Sequence, residues 1–107
     1  MLSEEEEALL CLTEESAELI QSITKIFRFG IYTRHKDLPS NAEAFENELS
    51  DVLACVMIIK KLRIVDSAML HDKISNKLIR LSKYSNNQFF IKTCTEVFEE
   101  HQKNHGK

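Results

Sequence analysis

Two glycines and one proline in 107 residues leave this chain almost without backbone punctuation, and that scarcity constrains its fold more than any other feature. Gly and Pro are the residues that most often stop a helix, and what replaces them here is chiefly Glu, Lys, Leu, Ile and Ala, all compatible with one. The expected class is therefore all-α: a bundle of three main helices plus a shorter C-terminal helix. At this length the chain has room for one domain with a modest core, residues 1–107 together.

Capping signals place the helices. Ser3 with Glu6 reads as a capping box that opens a first helix running to about Phe27, with Gly30 as its stop. Its apolar stripe centres on Leu12, Ile23 and Phe27. Phe29 to Pro39 is a long connection containing Arg34, His35 and Lys36. Ser40 with Glu43 forms a second capping box, and the helix it opens extends to about Ile64. This is the most apolar helix, with Phe45, Leu49, Val52, Leu53, Val56, Met57 and Ile59 on one broad face. Asp66 or Ser67 caps a third helix to about Tyr84, and a fourth runs from Gln88 to about His101, with a frayed tail from Gln102. His71, His101 and His105 have no ligand partners at a recognisable spacing and read as surface residues.

Charge and cysteine usage narrow the function classes. The formal charge is −3, residues 1–24 carry seven acids and no Lys or Arg, and bases gather at Lys25–Lys36 and Lys60–Lys83. No single face is basic throughout, which argues against a general nucleic-acid surface. Three cysteines without CxxC spacing give neither a disulfide framework nor a zinc signature, as expected of free thiols in a reducing cytosol. The acidic N-terminus is the opposite of a signal peptide's start, and no apolar run reaches about 18 residues, so the expectation is a soluble cytoplasmic protein.

Two acidic pairs carry the chemistry. On a helix, i, i+3 spacing sets two side chains about 60° apart, so Glu15 with Glu18 share one side, as do Glu48 with Asp51. Glu15 falls at the border of the apolar stripe in a strip with Cys11, Glu18, Ser22 and Lys25, while Glu14 turns furthest away. Glu48 and Asp51 have apolar neighbours on both flanks, where burial and mutual repulsion raise carboxyl pKa values unless a cation offsets them. This makes the second pair the stronger indication of a bound ion, and all-oxygen ligation suits Mg²⁺ or Mn²⁺. Lys73, Lys77 and Arg80 form a basic ridge on the third helix. Spacing alone favours a solvated charged face there, with a phosphate clamp as the alternative.

Glu14-Glu15-Ser16-Ala17-Glu18, the Arg28–Gly30 helix end and Glu48-Leu49-Ser50-Asp51 together resemble the EExxE and ExxD motifs of the MazG-like branch of the all-α nucleoside triphosphate pyrophosphohydrolases. The similarity covers roughly residues 8–84. It implies a Mg²⁺-dependent enzyme, with Mn²⁺ as a possible substitute, that converts (deoxy)nucleoside triphosphates to monophosphate and pyrophosphate. Glu15, Glu18, Glu48 and Asp51 would be its catalytic metal ligands, and Lys25, Lys77 and Arg80 would bind substrate phosphates. The resemblance also implies a homodimer or homotetramer, and the broad apolar surface of the second helix is compatible with one. Two features depart from the family pattern: the 29 residues between Glu18 and Glu48 lie at or just beyond the usual long end of its spacing, and Asn76 is offset from the Asn that many relatives carry.

Three other classes compete. The runner-up is a non-catalytic helical interaction module, a degenerate relative or antitoxin-like partner, which needs the apolar faces but not convergent acids. A di-iron bundle would use Glu-x-x-His, and no histidine here follows a Glu by three positions. A nucleic-acid binder comes third, disfavoured by the acidic balance.

Overall fold

The computed structural model describes residues 1–104, and these contain four helices: α1 (Glu4–Phe29), α2 (Asn41–Lys61), α3 (Ser67–Tyr84) and α4 (Gln88–Lys103). No strand occurs among the described residues, so the all-α expectation holds, with the 16-residue α4 the shortest helix. Within the stretch expected to form one domain, contacts gather into two compact units, Met1–Ile64 around α1 and α2 and another beginning at Val65 around α3 and α4.

The first helix starts as its sequence specifies. Ser3 Oγ accepts from the Glu6 N–H at 3.1 Å, and the Glu6 carboxylate accepts from the Ser3 N–H at 3.0 Å. Those bonds from Ser3 hold the Glu6 carboxyl below the ordinary carboxylate range. Gly30 ends the helix at φ 101°, a region closed to L side chains, and a Cβ there would lie 2.9 Å from Thr33 Oγ1.

The second helix begins with only half of the expected capping box. Ser40 Oγ accepts from the Glu43 N–H at 3.2 Å, but the Glu43 carboxylate turns outward to the Arg34 guanidinium at 2.9 Å. Loop carbonyls satisfy the neighbouring orphan donors instead: Asn41 N–H donates to Thr33 O at 2.9 Å and Ala42 N–H to Ile31 O at 2.7 Å. The Asn41 side-chain amide donates back to Gly30 O at 2.8 Å and, at 3.5 Å, to Lys25 O, tying the end of α1 to the start of α2.

The helix stops at Lys61, short of the expected Ile64, because Arg63 adopts φ 59°. Arg63 N–H donates to Lys60 O at 3.1 Å and Ile64 N–H to Ile59 O at 3.3 Å, which is the Schellman pattern of paired 5→2 and 6→1 bonds. That position normally holds glycine, so nothing in the sequence announced the stop. Arg63→Gly is expected to raise stability by about 0.5–1 kcal/mol, since it relieves a left-handed non-Gly residue at some entropic cost. Urea denaturation of the two proteins measures this, and a loss of stability would contradict the assignment.

Between the two helices runs a seam in alternating steps of four and three. Ala8, Leu12, Glu15, Leu19, Ser22 and Ile26 line it on α1; Phe45, Glu48, Val52, Cys55, Ile59 and Leu62 line it on α2, all buried or half-buried. The expected α1 stripe is therefore only partly inward: Leu12 packs in the seam, whereas Ile23 and Phe27 are exposed, Phe27 to 86%. Leu49, Leu53 and Met57 of the broad α2 face are also exposed. Apolar periodicity marks every surface that gains from being covered, and each of these helices has two such surfaces.

In the second unit Asp66 caps α3 by accepting from the Met69 N–H at 3.0 Å, and Asn87 caps α4 by accepting from the Phe90 N–H at 3.1 Å. The reading of His71 and His101 as surface residues is overturned: both are half-buried, and their rings stack with centroids 3.8 Å apart. Each ring donates from Nε2 to the other residue's carbonyl oxygen, at 3.1 and 3.0 Å, because a carbonyl can only accept. Gln102, expected to fray, donates to the buried Ser75 hydroxyl at 2.7 Å, and α4 continues to Lys103. His105 lies outside the described residues.

Candidate functional site

The acids meet because α1 and α2 run antiparallel in a matched register. Asn41 bonds at Lys25, Glu48 interacts with Glu18, Asp51 with Glu15, and Cys55 with Cys11. Moving along α2 from Asn41 by seven, three and four residues corresponds to moving back along α1 from Lys25 by the same steps. The i, i+3 spacing of one pair is thus the spacing the opposite pair needs, and the two motifs interlock.

Oxygen atoms of Glu15, Glu48 and Asp51 all lie within 4.8 Å of one another. Glu15 Oε2 and Glu48 Oε2 are buried without a hydrogen-bond partner. Burial pushes both carboxyls above the ordinary range, and like charge adds to it. Glu15 is repelled by Glu18, Asp51 and Glu14 and shares a hydrogen bond with Asp51. Glu48 shares one with Glu18 and is repelled by Glu18, Asp51 and Glu15. Carboxyl groups this close avoid repulsion only by keeping a proton between them or by sharing a cation.

The structure redraws the contrast between the pairs. The second was expected to be desolvated as a unit and the first to resemble surface charge; instead each pair has one inward member, Glu15 and Glu48, and one exposed member, Glu18 and Asp51. The seam explains this, since Glu15 and Glu48 both occupy inward positions of the alternating four-three pattern. Glu14 is exposed, in agreement with its expected place furthest from the core.

Beside the acids lies a polar cavity of about 310 Å³ lined by Glu18, Gln21, Ser22, Lys25, Asn41 and Glu48 among others. Lys25 therefore stands on the wall where the strip placed it. Ser22, which sequence reasoning left outside the site, is buried on the same wall and donates to Leu19 O at 2.7 Å. Asn41 was missed altogether. Reading the two helices as opposed four-three repeats would have found both, because Ser22 is a polar residue at a core position and Asn41 begins the α2 repeat.

The Cys55 thiol is buried in the same seam and pushed above its ordinary range, first by burial and then by Cys11, Glu15 and Asp51. All three cysteines are free. A thiol so shifted stays protonated and does not compete with carboxylates for a hard cation.

Lys77 and Arg80 belong to the second unit, where both are exposed and line a cavity of about 360 Å³ with Leu81, Tyr84, Ser85 and Phe90. Lys73 and Asn76 are exposed on the same helix. Among the described residues no helix is long and apolar enough to cross a membrane.

A family model described as the MazG nucleotide pyrophosphohydrolase domain matches residues 3–85, from the α1 cap to just past the end of α3. No curated protein and no solved structure matches the chain.

Proposed function

Because the chain belongs to the MazG nucleotide pyrophosphohydrolase domain family, we propose that it hydrolyses (deoxy)nucleoside triphosphates to the monophosphate and pyrophosphate, using Mg²⁺ held by Glu15, Glu18, Glu48 and Asp51. The observation that carries this reading is the pair of buried, unpartnered oxygens, Glu15 Oε2 and Glu48 Oε2, on two residues whose carboxylates gather with that of Asp51. An unpaired buried carboxylate is costly, and a hard divalent cation is the ligand that such oxygens satisfy. The donor set fits Mg²⁺ and also Mn²⁺.

When bound, the ion supplies positive charge against the phosphate oxygens and acidifies a water for attack at the α-phosphorus. The chain's own groups do the rest. Glu15 and Glu48 are fixed by the seam, so their inward oxygens need no reorganisation to act as ligands. Asp51 and Glu18, more exposed, would complete the ligand set from the solvent side. Lys25 orients a phosphate from the cavity wall.

The deciding experiment is pyrophosphate release from a panel of common and modified nucleotides, with and without Mg²⁺. Release that requires the metal supports the proposal. No release from any nucleotide, with thermal stability unchanged by Mg²⁺, favours the non-catalytic interaction module instead.

The exposed apolar residues, Ile20 at 63% and Met57 at 72% besides Phe27, support assembly as a homodimer or homotetramer. Sedimentation at micromolar concentration is expected to give a multiple of the 12.4 kDa chain mass, and a monomer would remove the claim.

A further inference from the structure

A second cavity, about 540 Å³, adjoins the polar one at the turn between α1 and α2. The two share Lys25, Asn41 and Ala44 as walls, yet their linings differ in kind. The polar cavity carries two carboxylates, whereas the larger one has none and is walled by Phe29, Thr33, His35, Leu38 and Pro39. Lys25 lies seven residues along α1 from Glu18, about 10 Å by helical rise, a span that a ribose phosphate can bridge.

We propose that this apolar cavity is the nucleobase pocket, with Phe29 as its stacking surface and His35 at its edge. The inference rests on the triphosphate-hydrolysing reading and extends it to the other end of the substrate. Phe29 is a large aromatic ring left mostly exposed at a helix terminus, where it stabilises no core. Aromatic faces bind planar bases of any identity, and the volume falls within the range of small-molecule pockets. The walls are also set before binding. Leu38 N–H donates to His35 O at 3.1 Å, Thr33 Oγ1 donates to Phe29 O, and the bonds of Asn41 and Ala42 to Gly30, Ile31 and Thr33 fix the rest of the turn. A preformed pocket loses little entropy on filling.

The test pairs a binding measurement with a selectivity ratio. Adenosine and uridine, which lack phosphates, are titrated into protein labelled at its Phe and His rings, with ribose as the base-free control. The nucleosides are expected to move the Phe29 and His35 ring signals, and ribose is not. Phe29→Ala, at an exposed position that leaves the helices intact by circular dichroism, is expected to lower the preference in kcat/KM for nucleoside triphosphates over ribose 5-triphosphate about tenfold, the scale of one stacked base. If the triphosphates are hydrolysed but Phe29→Ala and His35→Ala leave that ratio unchanged and the ring signals stay still, the pocket assignment is wrong. If nucleosides move the signals while no triphosphate is hydrolysed, the pocket stands and the hydrolase reading falls.

Discussion

Glu48→Gln is expected to remove pyrophosphate release almost completely, by roughly three orders of magnitude, while the metal-free variant melts at a higher temperature than the parent. The activity loss follows from taking an inward ligand out of the three-carboxylate group, which forfeits several kcal/mol of charge stabilisation. The opposite sign of the stability change is the discriminating part. The Glu48 carboxyl is raised above its ordinary value of 4.5 by burial, by the hydrogen bond with Glu18 and by like charge. Folded protein therefore holds that proton more tightly than unfolded chain, and stability declines as pH rises from about the ordinary value through the raised one. An amide of the same shape has no charge to bury, so at neutral pH the variant escapes this cost. Melting curves in chelator together with initial rates in Mg²⁺ measure both halves. A variant that loses activity by unfolding, or retains it, would sink the assignment; Asp51→Asn provides a second case, with the same loss of activity.

Mg²⁺ is expected to stabilise the protein far more at pH 8 than near pH 4.5. Metal binding would have to displace protons from Glu15 and Glu48, whose carboxyls burial and like charge push above their ordinary range, so affinity should climb with pH. At a free Mg²⁺ concentration one hundred times Kd, linkage gives about 2.7 kcal/mol, which for a chain of this size raises Tm by about 10 °C or more. Near pH 4.5 the same concentration gives little. Thermal scans at the two pH values, each with chelator or Mg²⁺, provide the comparison. An equal gain at both would mean that the ion binds elsewhere, away from protonating carboxylates.

Local rules carried the helices, and non-local packing decided what local rules left open. Ser3 and Gly30 bounded α1, and Asp66 fixed the start of α3, because each acts on backbone atoms within a few residues. The end of α2 escaped because Arg63 takes a left-handed position with no compositional marker. Glu43 left its expected partner for Arg34, nine residues away, and His71 found His101 thirty residues away. The four acids were legible as a motif, yet which of them turn inward was not. That depended on the α1–α2 seam, whose α1 side passes through Glu15 and Ser22 rather than through Ile23 and Phe27.

The way Asn41 ties Lys25 and Gly30 also bears on how such a chain tolerates changes in length. The acid register is set at the stem of the turn, by Asn41 and by the Ile31 and Thr33 carbonyls, and not at its tip. Residues inserted among 34–39 would add only a loop-closure cost, about 0.6 kcal/mol even for a doubling of the loop, and would leave Glu15 opposite Asp51. One residue inserted within α1 between Glu18 and Lys25 would turn the acids by about 100° relative to that stem and separate the two motifs. The 29-residue spacing between Glu18 and Glu48 is therefore compatible with the register of the four acids. Insertions or deletions in the segment that carries His35, Leu38 and Pro39 would therefore reshape the larger cavity while the carboxylates keep their places.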